Sequence, residues 1–364
     1  MNNLNNNICF FIDSLSNSGG TERVTTVIAN MLASRNFIVT IVTIQKFEKS
    51  FFNLEQKVSV ISLMDAENKM SLWDRVKIIL KLRKVIKEKK IDILIAVDSL
   101  LSIYSLPASF GYNLKNICWE QFNFKIDLSL PLRKMARQLA GIFSDRIVVL
   151  SEKDKIFWDQ GLVFNRSGVS VVYNPCSYSI TESTYCAESK KVLCVGRLTN
   201  QKGFDLILSA WKEINNKFPN WVLTIVGNGE EKESLINLAK ELHISKCTEF
   251  VAATSNIQEM YLKSSIFCLP SRFEGFGLVG IEALSFGLPI VAYDCDCGPS
   301  EFVSSKNGIL VQNGDVEALT DSLISIMSDK QLRISMAKNS KIEAEKFTRE
   351  KTIDSWLGLL QNIK

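Results

Sequence analysis

Short apolar runs rich in β-branched residues alternate with helix-length amphipathic segments along the whole chain of 364 residues. The first such pair is the run ICFFID at 8–13, followed by a periodic segment from about 22 to 35. Apolar runs of roughly four to eight residues indicate buried strands, and an apolar repeat of about 3.6 residues indicates a helix. Strands that alternate with helices are typical of parallel sheets. The pattern therefore predicts an α/β protein.

The alternation continues through two series, each of which has the length of one domain. The first series contains the apolar runs 8–13, 37–44, 91–97, 116–122, 145–151 and 169–175. The second contains the runs 190–198, 221–227, 247–252, 265–271 and 289–294, separated by periodic segments at 203–217, 230–242, 256–264 and 279–286. A single twisted sheet with this many strands would be unusual, whereas two doubly wound sheets fit the length. We therefore predict two Rossmann-like domains.

The predicted domain boundary lies in the polar stretch 175–190, which lacks apolar periodicity. We assign residues 1–178 to the first domain and residues 179–349 to the second. Doubly wound sheets bind ligands beyond the carboxyl ends of their strands. The sequence therefore predicts a ligand site in a cleft where the two domains face each other.

The composition argues against several classes of protein. With 46% apolar and 23% charged residues, the chain is globular in composition rather than disordered. The best candidate for a membrane span, 91–111, contains Asp92 and Asp98, and no leader pattern is found, so neither a span nor a signal peptide is expected. The nine cysteines lack the paired spacing of a zinc site, which favours reduced thiols in a cytoplasmic protein.

Positive charge is concentrated in the first half of the chain. Residues 1–178 carry a net charge of +7 and residues 179–364 carry −3. The basic residues are densest in the predicted helices 71–90 and 131–143, where a solvated helix face is one explanation. Two such helices in one domain also favour contact with anionic lipid headgroups. Nucleic acid is not an expected partner, because no basic motif interleaved with aromatic residues accompanies the charge.

The first candidate motif is SLSNSGGTERVTT at 14–26, where a strand, a Gly-Gly turn and a helix follow one another. Gly19 and Gly20 let backbone N–H groups approach an anion, and the helix N-terminus adds its dipole. An ordinary strand–helix turn explains the glycines equally well. The spacing differs from that of the dinucleotide-binding motif.

The second motif, VGRLTNQKG at 195–203, places two cations on one strand–helix loop. Arg197 offers a planar fork of donors and Lys202 a compact charge, a combination suited to a diphosphate. The alternative is two unrelated surface cations. A third motif, VGNGEEKESL at 226–235, ends a strand at Gly227 and opens a helix with glutamates, which suits the helix dipole and leaves a purely structural role open.

The fourth motif is RFEGFGLVGIE at 272–282, where Glu274 precedes a predicted helix and Glu282 lies in its first or second turn. Its glycines permit close approach of the backbone to a ligand. The N–H groups at the helix start, from Gly277 to Val279, point at whatever lies beyond the strand. An ionised carboxylate accepts hydrogen bonds from sugar hydroxyls. We therefore expect Glu282 to hold a ribose and Glu274 a second polyol.

Taken in order, these motifs resemble the retaining GT-B glycosyltransferases of family 4. EGFGLVGIE (274–282) follows GRLTNQKG (196–203) and precedes FGLPIVAYD (286–294), GPSEFV (298–303) and NGILV (307–311). The resemblance covers nearly the whole chain, including GGTER (19–23) and VVYNP (171–175). CWEQFNF (118–124) and GPSEF are most similar to bacterial enzymes that build O-antigen (lipopolysaccharide), capsule or exopolysaccharide.

The resemblance implies roles for individual residues. Arg197 and Lys202 would bind the nucleotide diphosphate, Glu282 the donor ribose, and Glu274 the transferred sugar. Gly20, next to Gly19, would contact the distal phosphate. The family's C-terminal helix commonly crosses back onto the first domain, which here would be 350–364 with Trp356 and Leu360 as anchors. The remaining donor-binding positions are Gly227, Ala252, which would face the base, and Gly275, Phe276, Gly277, Leu278 and Val279.

The resemblance also implies an activity and partners. The enzyme would transfer a hexose or N-acetylhexosamine, with retained configuration, from a nucleotide sugar of UDP type to a lipid-linked (polyprenyl diphosphate) saccharide. It would be cytoplasmic and peripheral on the inner face of the cell membrane. No metal or other cofactor is expected, because Arg197 and Lys202 already serve the diphosphate. The pair Asp294 and Asp296 matches a metal-binding spacing, but we interpret it as part of a loop.

One departure from the family leaves alternatives open. Relatives usually have Glu-His where this chain has Glu120-Gln121, and Gln121 cannot become a cation. The replacement is either tolerated or lowers turnover. A catalytically weak nucleotide-sugar-binding subunit is therefore one alternative. A sugar-nucleotide epimerase of the same fold is another, disfavoured because the sole histidine, His243, lies on a predicted surface helix.

Overall fold

The computed structural model describes residues 7–17, 19–64, 71–127, 130–254 and 256–363. The chain divides into two compact units, Met1–Pro175 with Glu350–Lys364, and Cys176–Arg349. The sequence predicts this division after residue 178.

The described residues of the first unit form a parallel sheet of seven strands, in the order β3-β2-β1-β4-β5-β6-β7. The central strands β1 and β4 are almost wholly buried, as expected for parallel strands covered by helices on both faces. The strand order reverses between β1 and β4, which marks the switch point where doubly wound sheets bind ligands. The strands are β1 (Asn7–Ile12), β2 (Ile38–Thr43), β3 (Ser59–Ser62), β4 (Ile93–Val97), β5 (Lys115–Trp119), β6 (Arg146–Val149) and β7 (Val169–Val171).

Helices of the first unit connect successive strands of this sheet. They are α1 (Gly20–Ser34), α2 (Leu72–Glu88), α3 (Ser102–Ser109), α4 (Pro131–Phe143) and α5 (Glu152–Gly161). The short strand β3 was not predicted, because its four residues carry little periodic signal and it forms by pairing with β2 at the sheet edge.

The described residues of the second unit form a six-stranded parallel sheet, in the order β10-β9-β8-β11-β12-β13. Here the order reverses between β8 and β11. The strands are β8 (Lys191–Val195), β9 (Val222–Val226), β10 (Thr248–Val251), β11 (Ile266–Leu269), β12 (Ile290–Asp294) and β13 (Gly308–Gln312). The helices are α6 (Phe204–Lys217), α7 (Lys232–Glu241), α8 (Ile257–Leu262), α9 (Leu278–Ser285), α10 (Pro299–Phe302), α11 (Val316–Ser328) and α12 (Lys330–Ala344).

The last helix, α13 (Arg349–Asn362), contributes to the core of the first unit. Trp356 is fully buried and meets Trp119, at the end of β5, edge to face with ring centroids 5.0 Å apart. Leu360, one turn further along, is also buried. The two parallel Rossmann-like sheets confirm the predicted α/β fold class.

Candidate functional site

The switch point of the second unit brings together the two loops that the sequence singled out. Strands β8 and β11 are hydrogen-bonded neighbours in parallel register, with Leu193 opposite Phe267. Their carboxyl ends therefore lie side by side. The loop after β8 carries Arg197 and Lys202, and the loop after β11 carries Glu274.

Lys202 and Glu274 form an ion pair at this switch point. The Lys202 Nζ lies 2.6 Å from Glu274 Oε1, and Ser271 Oγ donates to the same oxygen at 2.7 Å. Glu274 is buried and Lys202 is largely so. Sequence reasoning assigned these residues to different parts of a ligand and did not foresee that they pair directly.

The two loops are tied together by contacts that sequence reasoning missed. Arg272 makes two hydrogen bonds to Asp205, Nη1 to Oδ1 at 2.8 Å and Nη2 to Oδ2 at 2.6 Å. The Arg272 N–H donates to the carbonyl of Gln201, whose side chain donates back to the carbonyl of Phe273. Bidentate pairs of this kind fix geometry as well as adding energy. Arg272 and Asp205 therefore set the distance between the loops that carry Lys202 and Glu274.

Gly203 is the position where the first loop touches the second. It has a φ of +64°, and a Cβ there would lie 2.0 Å from the carbonyl oxygen of Pro270. Neither the left-handed conformation nor that approach suits another residue. Glycine at 203 thus keeps Lys202 next to the loop of Glu274.

Arg197 lies on the same loop as Lys202 but faces solvent. Among the described residues its side chain makes no hydrogen bond or ion pair. An exposed guanidinium on the same loop as the Lys202 ammonium places two cations after the carboxyl end of β8, an arrangement suited to an anion.

Glu282 is held inside the second unit in the second turn of α9. It is buried, and Tyr261 donates its hydroxyl to Glu282 Oε2 at 3.0 Å. Tyr261 is itself fixed by stacking on Phe286, with ring centroids 5.1 Å apart and planes inclined by 8°. The helix begins after Gly277, which has a φ of +91°, so that the first N–H groups of α9 face the carboxyl edge. Tyr261 had no sequence signal.

Gly227 and Ala252 lie where β9 and β10 end. The N–H of Gly227 donates to the carbonyl of Val251 at 2.9 Å, and a Cβ on Gly227 would lie 1.8 Å from the carbonyl oxygen of Gly196. Glycine therefore allows the loops after β8 and β9 to pack closely. Ala252 follows β10 directly and is exposed.

The remaining predicted site residues belong to the first unit. Gly19 is the N-cap of α1 and Gly20 its first residue, shortly after β1 ends. A Cβ on Gly19 would lie 2.4 Å from a carboxylate oxygen of Glu22. The glycine thus accommodates the Glu22 side chain at the helix start.

Gln121 follows β5 and is only 8% exposed. Its side-chain Nε2 is buried and has no hydrogen-bond partner among the described residues. An unpaired buried donor costs about 1–3 kcal/mol, so a ligand acceptor at this position would recover that free energy. The neighbouring residue Glu120 is fully buried and was not predicted as functional.

A charged network surrounds Glu120 and corrects one expectation from the sequence. Arg133 and Arg137 on α4 are buried, the first paired with Asp98 and the second with Glu120 at 3.0 Å. These arginines are therefore not available to lipid, contrary to the interpretation of 131–143 as a second basic surface. Among the cations of that stretch, Lys134 alone is exposed.

The network perturbs its carboxyl groups in different directions. Burial acts to raise the pKa of Glu120, but Arg137 and Arg133 outweigh it and hold the pKa below its usual value. Burial, with the nearby charge of Glu120, raises the pKa of Asp98 to about 6. Burial raises the pKa of Asp154 to about 8, where Phe124 donates its N–H to the carboxyl group.

Two further sequence expectations concern metals and membrane spans. Within the described part of the chain, no cluster of three or more His, Cys, Asp or Glu side chains has the arrangement of a metal site. Over the same residues, no helix combines the length and apolar character needed to cross a bilayer.

Comparison with known proteins identifies the family. The sequence profile described as "Glycosyl transferases group 1" matches residues 183–343. An uncharacterized glycosyltransferase of Haemophilus influenzae is 36% identical over 354 residues, covering 97% of this chain and 99% of the relative. A Campylobacter jejuni relative, "GalNAc-alpha-(1->4)-GalNAc-alpha-(1->3)-diNAcBac-PP-undecaprenol alpha-1,4-N-acetyl-D-galactosaminyltransferase", is 28% identical over 363 residues, with coverages of 97% and 98%.

The fold is also similar to solved structures. HepE of Anabaena, crystallised with UDP-glucose, superposes with a TM-score of 0.79 at 19% identity, covering 97% of this chain and 99% of that one. The fold is therefore GT-B, built from two Rossmann-like units. The near-complete match to the Haemophilus relative, together with the family profile, shows that this chain belongs to the group 1 glycosyltransferases.

Proposed function

We propose that the protein is a retaining glycosyltransferase of family 4 that transfers a hexose or N-acetylhexosamine from a UDP-sugar to a lipid-linked saccharide. Its pathway is the synthesis of a bacterial surface polysaccharide. The observation that carries the proposal is the Lys202–Glu274 pair at the switch point of the second sheet, with the exposed Arg197 on the same loop. These groups combine two cations for a diphosphate with a fixed carboxylate for a sugar.

The chemistry follows from where charge develops. As the bond from the anomeric carbon to the diphosphate breaks, negative charge builds on the departing phosphate. Lys202, Arg197 and the N-terminus of α9 stabilise that charge, and preorganised groups of this kind usually make the largest contribution to catalysis. The acceptor oxygen forms its bond on the same face, and its proton passes to the departing phosphate oxygen. No covalent nucleophile is required.

The polyols of the donor are assigned to the two glutamates. Glu274 is immobilised by Lys202 and Ser271, and Glu282 by Tyr261, so both carboxylates are oriented before a ligand binds. We assign the transferred sugar to Glu274 and the ribose to Glu282. The UDP-glucose complex of HepE supports a UDP-sugar donor, and the name of the Campylobacter relative, which specifies a substrate linked to PP-undecaprenol, supports an undecaprenyl-diphosphate acceptor.

The test of this proposal begins with a thermal-shift screen of UDP- and GDP-sugars on the full chain. One UDP-sugar is expected to raise Tm specifically, because a ligand of the native state stabilises it. That donor is then incubated with a polyprenyl-diphosphate-linked saccharide. We expect transfer that persists in EDTA and a product whose anomeric signal by NMR matches that of the donor. Donor binding without transfer to any acceptor would instead support a nucleotide-sugar-binding subunit.

We also propose that the protein is peripheral on the inner face of the cell membrane and contacts anionic lipid through α2. Leu72, Trp73, Val76 and Leu80 are exposed, Trp73 at 76%, although they are large and apolar. At 3.6 residues per turn they fall within an arc of about 100°. The buried side of the helix consists of Ile78, Leu82, Val85 and Ile86.

Lysines border the exposed apolar arc of α2. Lys77 and Lys84 expose 62% and 73% of their side chains. A helix with exposed aromatic and apolar residues next to lysines has the character of an interfacial membrane helix. The lysines select anionic headgroups, and each near the surface contributes about 1 kcal/mol.

Vesicle binding tests this surface with a built-in fluorescent reporter. The other five tryptophans are buried, so a blue shift of emission on adding vesicles reports insertion of Trp73. We expect the shift and co-sedimentation with phosphatidylglycerol vesicles at low salt, and their loss in Leu72→Ser/Leu80→Ser. Phe143→Ser, which removes an exposed apolar residue from α4, is the matched control. Equal binding by the double variant and the wild type would exclude α2 as the membrane contact.

A further inference from the structure

Asp98 combines backbone strain with a partly buried charge directly beside the candidate site of the first unit. It follows β4 at the switch-point edge of the sheet, with φ +100° and ψ 132°. Its N–H donates to the carbonyl of Trp119 at 2.8 Å, which joins the ends of β4 and β5. A non-glycine residue keeps such a conformation only when its surroundings enforce it, and residues of this kind concentrate at functional sites.

The carboxylate of Asp98 is held by Arg133. Its guanidinium donates to both carboxylate oxygens of Asp98, Nη1 to Oδ1 at 2.7 Å and Nη2 to Oδ2 at 3.0 Å. The N–H of Leu100 also donates to Oδ1 at 2.8 Å. Arg133 lies 3.6 Å from Glu120 Oε1 and covers the ring of Phe122 at 4.8 Å. Asp98 thus fixes the arginine that borders the turn after β5.

Glu120 links the arginines of this network to the backbone of Gln121 through ion pairs and hydrogen bonds. Ser99 and Arg137 donate to its Oε2 at 2.6 and 3.0 Å. Its Oε1 accepts the backbone N–H groups of Gln121 and Phe122 at 3.0 and 3.1 Å. The backbone at Gln121 is therefore held by a carboxylate whose two oxygens are both engaged. The Gln121 Nε2 lies at the end of this chain of contacts and is buried and unpaired among the described residues, as is the Nε of Arg133 within the network.

We propose that Asp98 is a positioning residue for glycosyl transfer, which acts through Arg133 and Glu120 to aim the Gln121 amide at a hydroxyl of the bound saccharide. This role rests on the proposed function of the chain as a transferase. Asp98 itself touches no substrate. The unpaired amide provides the donor, and the network fixes the backbone from which the Gln121 side chain extends.

This arrangement predicts that kcat falls on the acid side of its pH profile. The charged groups that face Asp98 are Glu120 and the Cys118 thiol on β5 and Arg133 on α4. Burial and Glu120 raise the pKa of Asp98 to about 6, against the opposing effect of Arg133. Below that pH the carboxyl group becomes neutral and its charge-assisted hydrogen bonds with Arg133 weaken. The turn that carries Gln121 then loosens, so kcat falls while KM for the donor changes little.

The experiment compares the full chain as wild type, Asp98→Asn and the control Asp145→Asn between pH 5 and 8. Asp145 is matched because it accepts a backbone N–H from Asn116 and lies 3.2 Å from Lys115 at the opposite, amino edge of the same sheet. We expect the wild-type kcat to fall below about pH 6, and Asp98→Asn to have a kcat reduced about tenfold with no further fall at low pH. Asp145→Asn should lower Tm but keep the wild-type profile.

A second measurement does not depend on turnover. The side-chain amide signals of ¹⁵N-glutamine-labelled protein, with Gln121 assigned by its loss in Gln121→Asn, should be sharp at pH 7.5 and broad below pH 6. They should be broad at every pH in Asp98→Asn. The inference would be overturned if the Gln121 amide signal changed neither with pH nor in Asp98→Asn. It would also be overturned if kcat of Asp98→Asn still fell at low pH. The predicted amide response without transfer would contradict the proposed function and leave the positioning role intact.

Discussion

Replacement of Lys202 by alanine is expected to lower kcat/KM for sugar transfer by about 100- to 1,000-fold, the typical loss when one preorganised charge-stabilising donor is removed. Lys202 Nζ lies 2.6 Å from Glu274, so the substitution removes both a cation for the diphosphate and the anchor of the carboxylate assigned to the sugar. Arg197→Ala should show a comparable loss in kcat/KM. The measurement is steady-state kinetics with the donor found by the thermal-shift screen.

The two variants differ in their expected stability, which separates function from folding. Arg197 is exposed, so its substitution should leave Tm unchanged. Lys202→Ala should lower Tm, because Glu274 is buried and loses its cation. The control is Lys217→Ala on α6, which removes a cation paired with Glu213 at 3.1 Å on the surface and should retain full activity. Near-normal activity in both Arg197→Ala and Lys202→Ala would refute the diphosphate clamp.

Replacement of Arg137 by methionine should destabilise the protein by about 3–5 kcal/mol, the usual consequence of removing one partner of a buried ion pair. Arg137 is buried and donates to Glu120 and to the carbonyl groups of Asn123, Phe124 and Ile126. The substitution leaves these acceptors without their donor. The free energy of unfolding from urea denaturation of the full chain measures the effect.

The pH dependence of this loss has a definite sign. In the wild type the pKa of Glu120 is lowered, so its contribution to stability is present above the unfolded pKa and disappears as the pH falls through the folded pKa. Without Arg137, burial dominates and raises the pKa of Glu120 in the folded variant. At low pH Glu120 then becomes protonated, which removes the cost of a buried unpaired charge. The difference from wild type should therefore be smaller at pH 5 than at pH 8.

The control for Arg137 lies on the same helix. Lys134 is 74% exposed on α4 and pairs with Asp127 at 3.2 Å. Lys134→Met should change the unfolding free energy by no more than about 0.5 kcal/mol, as is usual for surface positions. If Arg137→Met were equally mild, the buried network would not stabilise the first unit.

Much of the second unit's site could be predicted because its parts follow strands directly. Arg197 comes two residues after β8, and Glu274 lies in the loop after β11. Parallel strands that are neighbours at a switch point must place such residues together. Sequence could not show that Lys202 pairs with Glu274, or that Arg272 and Asp205 set their spacing, because those contacts join residues about seventy positions apart.

The first unit was harder to interpret from sequence. A basic stretch on a helix gives the same sequence pattern whether its arginines contact water, lipid or buried carboxylates. In α4, packing against Asp98 and Glu120 determines that Arg133 and Arg137 are buried in ion pairs. In α2 the reverse holds: Trp73 and Leu80 fit an amphipathic repeat and yet lie exposed. Burial depends on which face of the helix the sheet covers, and this is settled by contacts with other elements.

By itself the sequence determined the alternation of strands and helices, the two parallel sheets, the loops that carry Arg197, Lys202 and Glu274, and the helix that carries Glu282, because these follow from local periodicity and from glycine at sharp turns. Only the tertiary structure decided which charged groups lie next to one another. Lys202 is paired with Glu274, Arg137 with Glu120 and Arg133 with Asp98, whereas Arg197 stays exposed to solvent. The physical reason is that the strength of a charge pair depends on distance and burial, and both are fixed by residues brought together from distant parts of the chain.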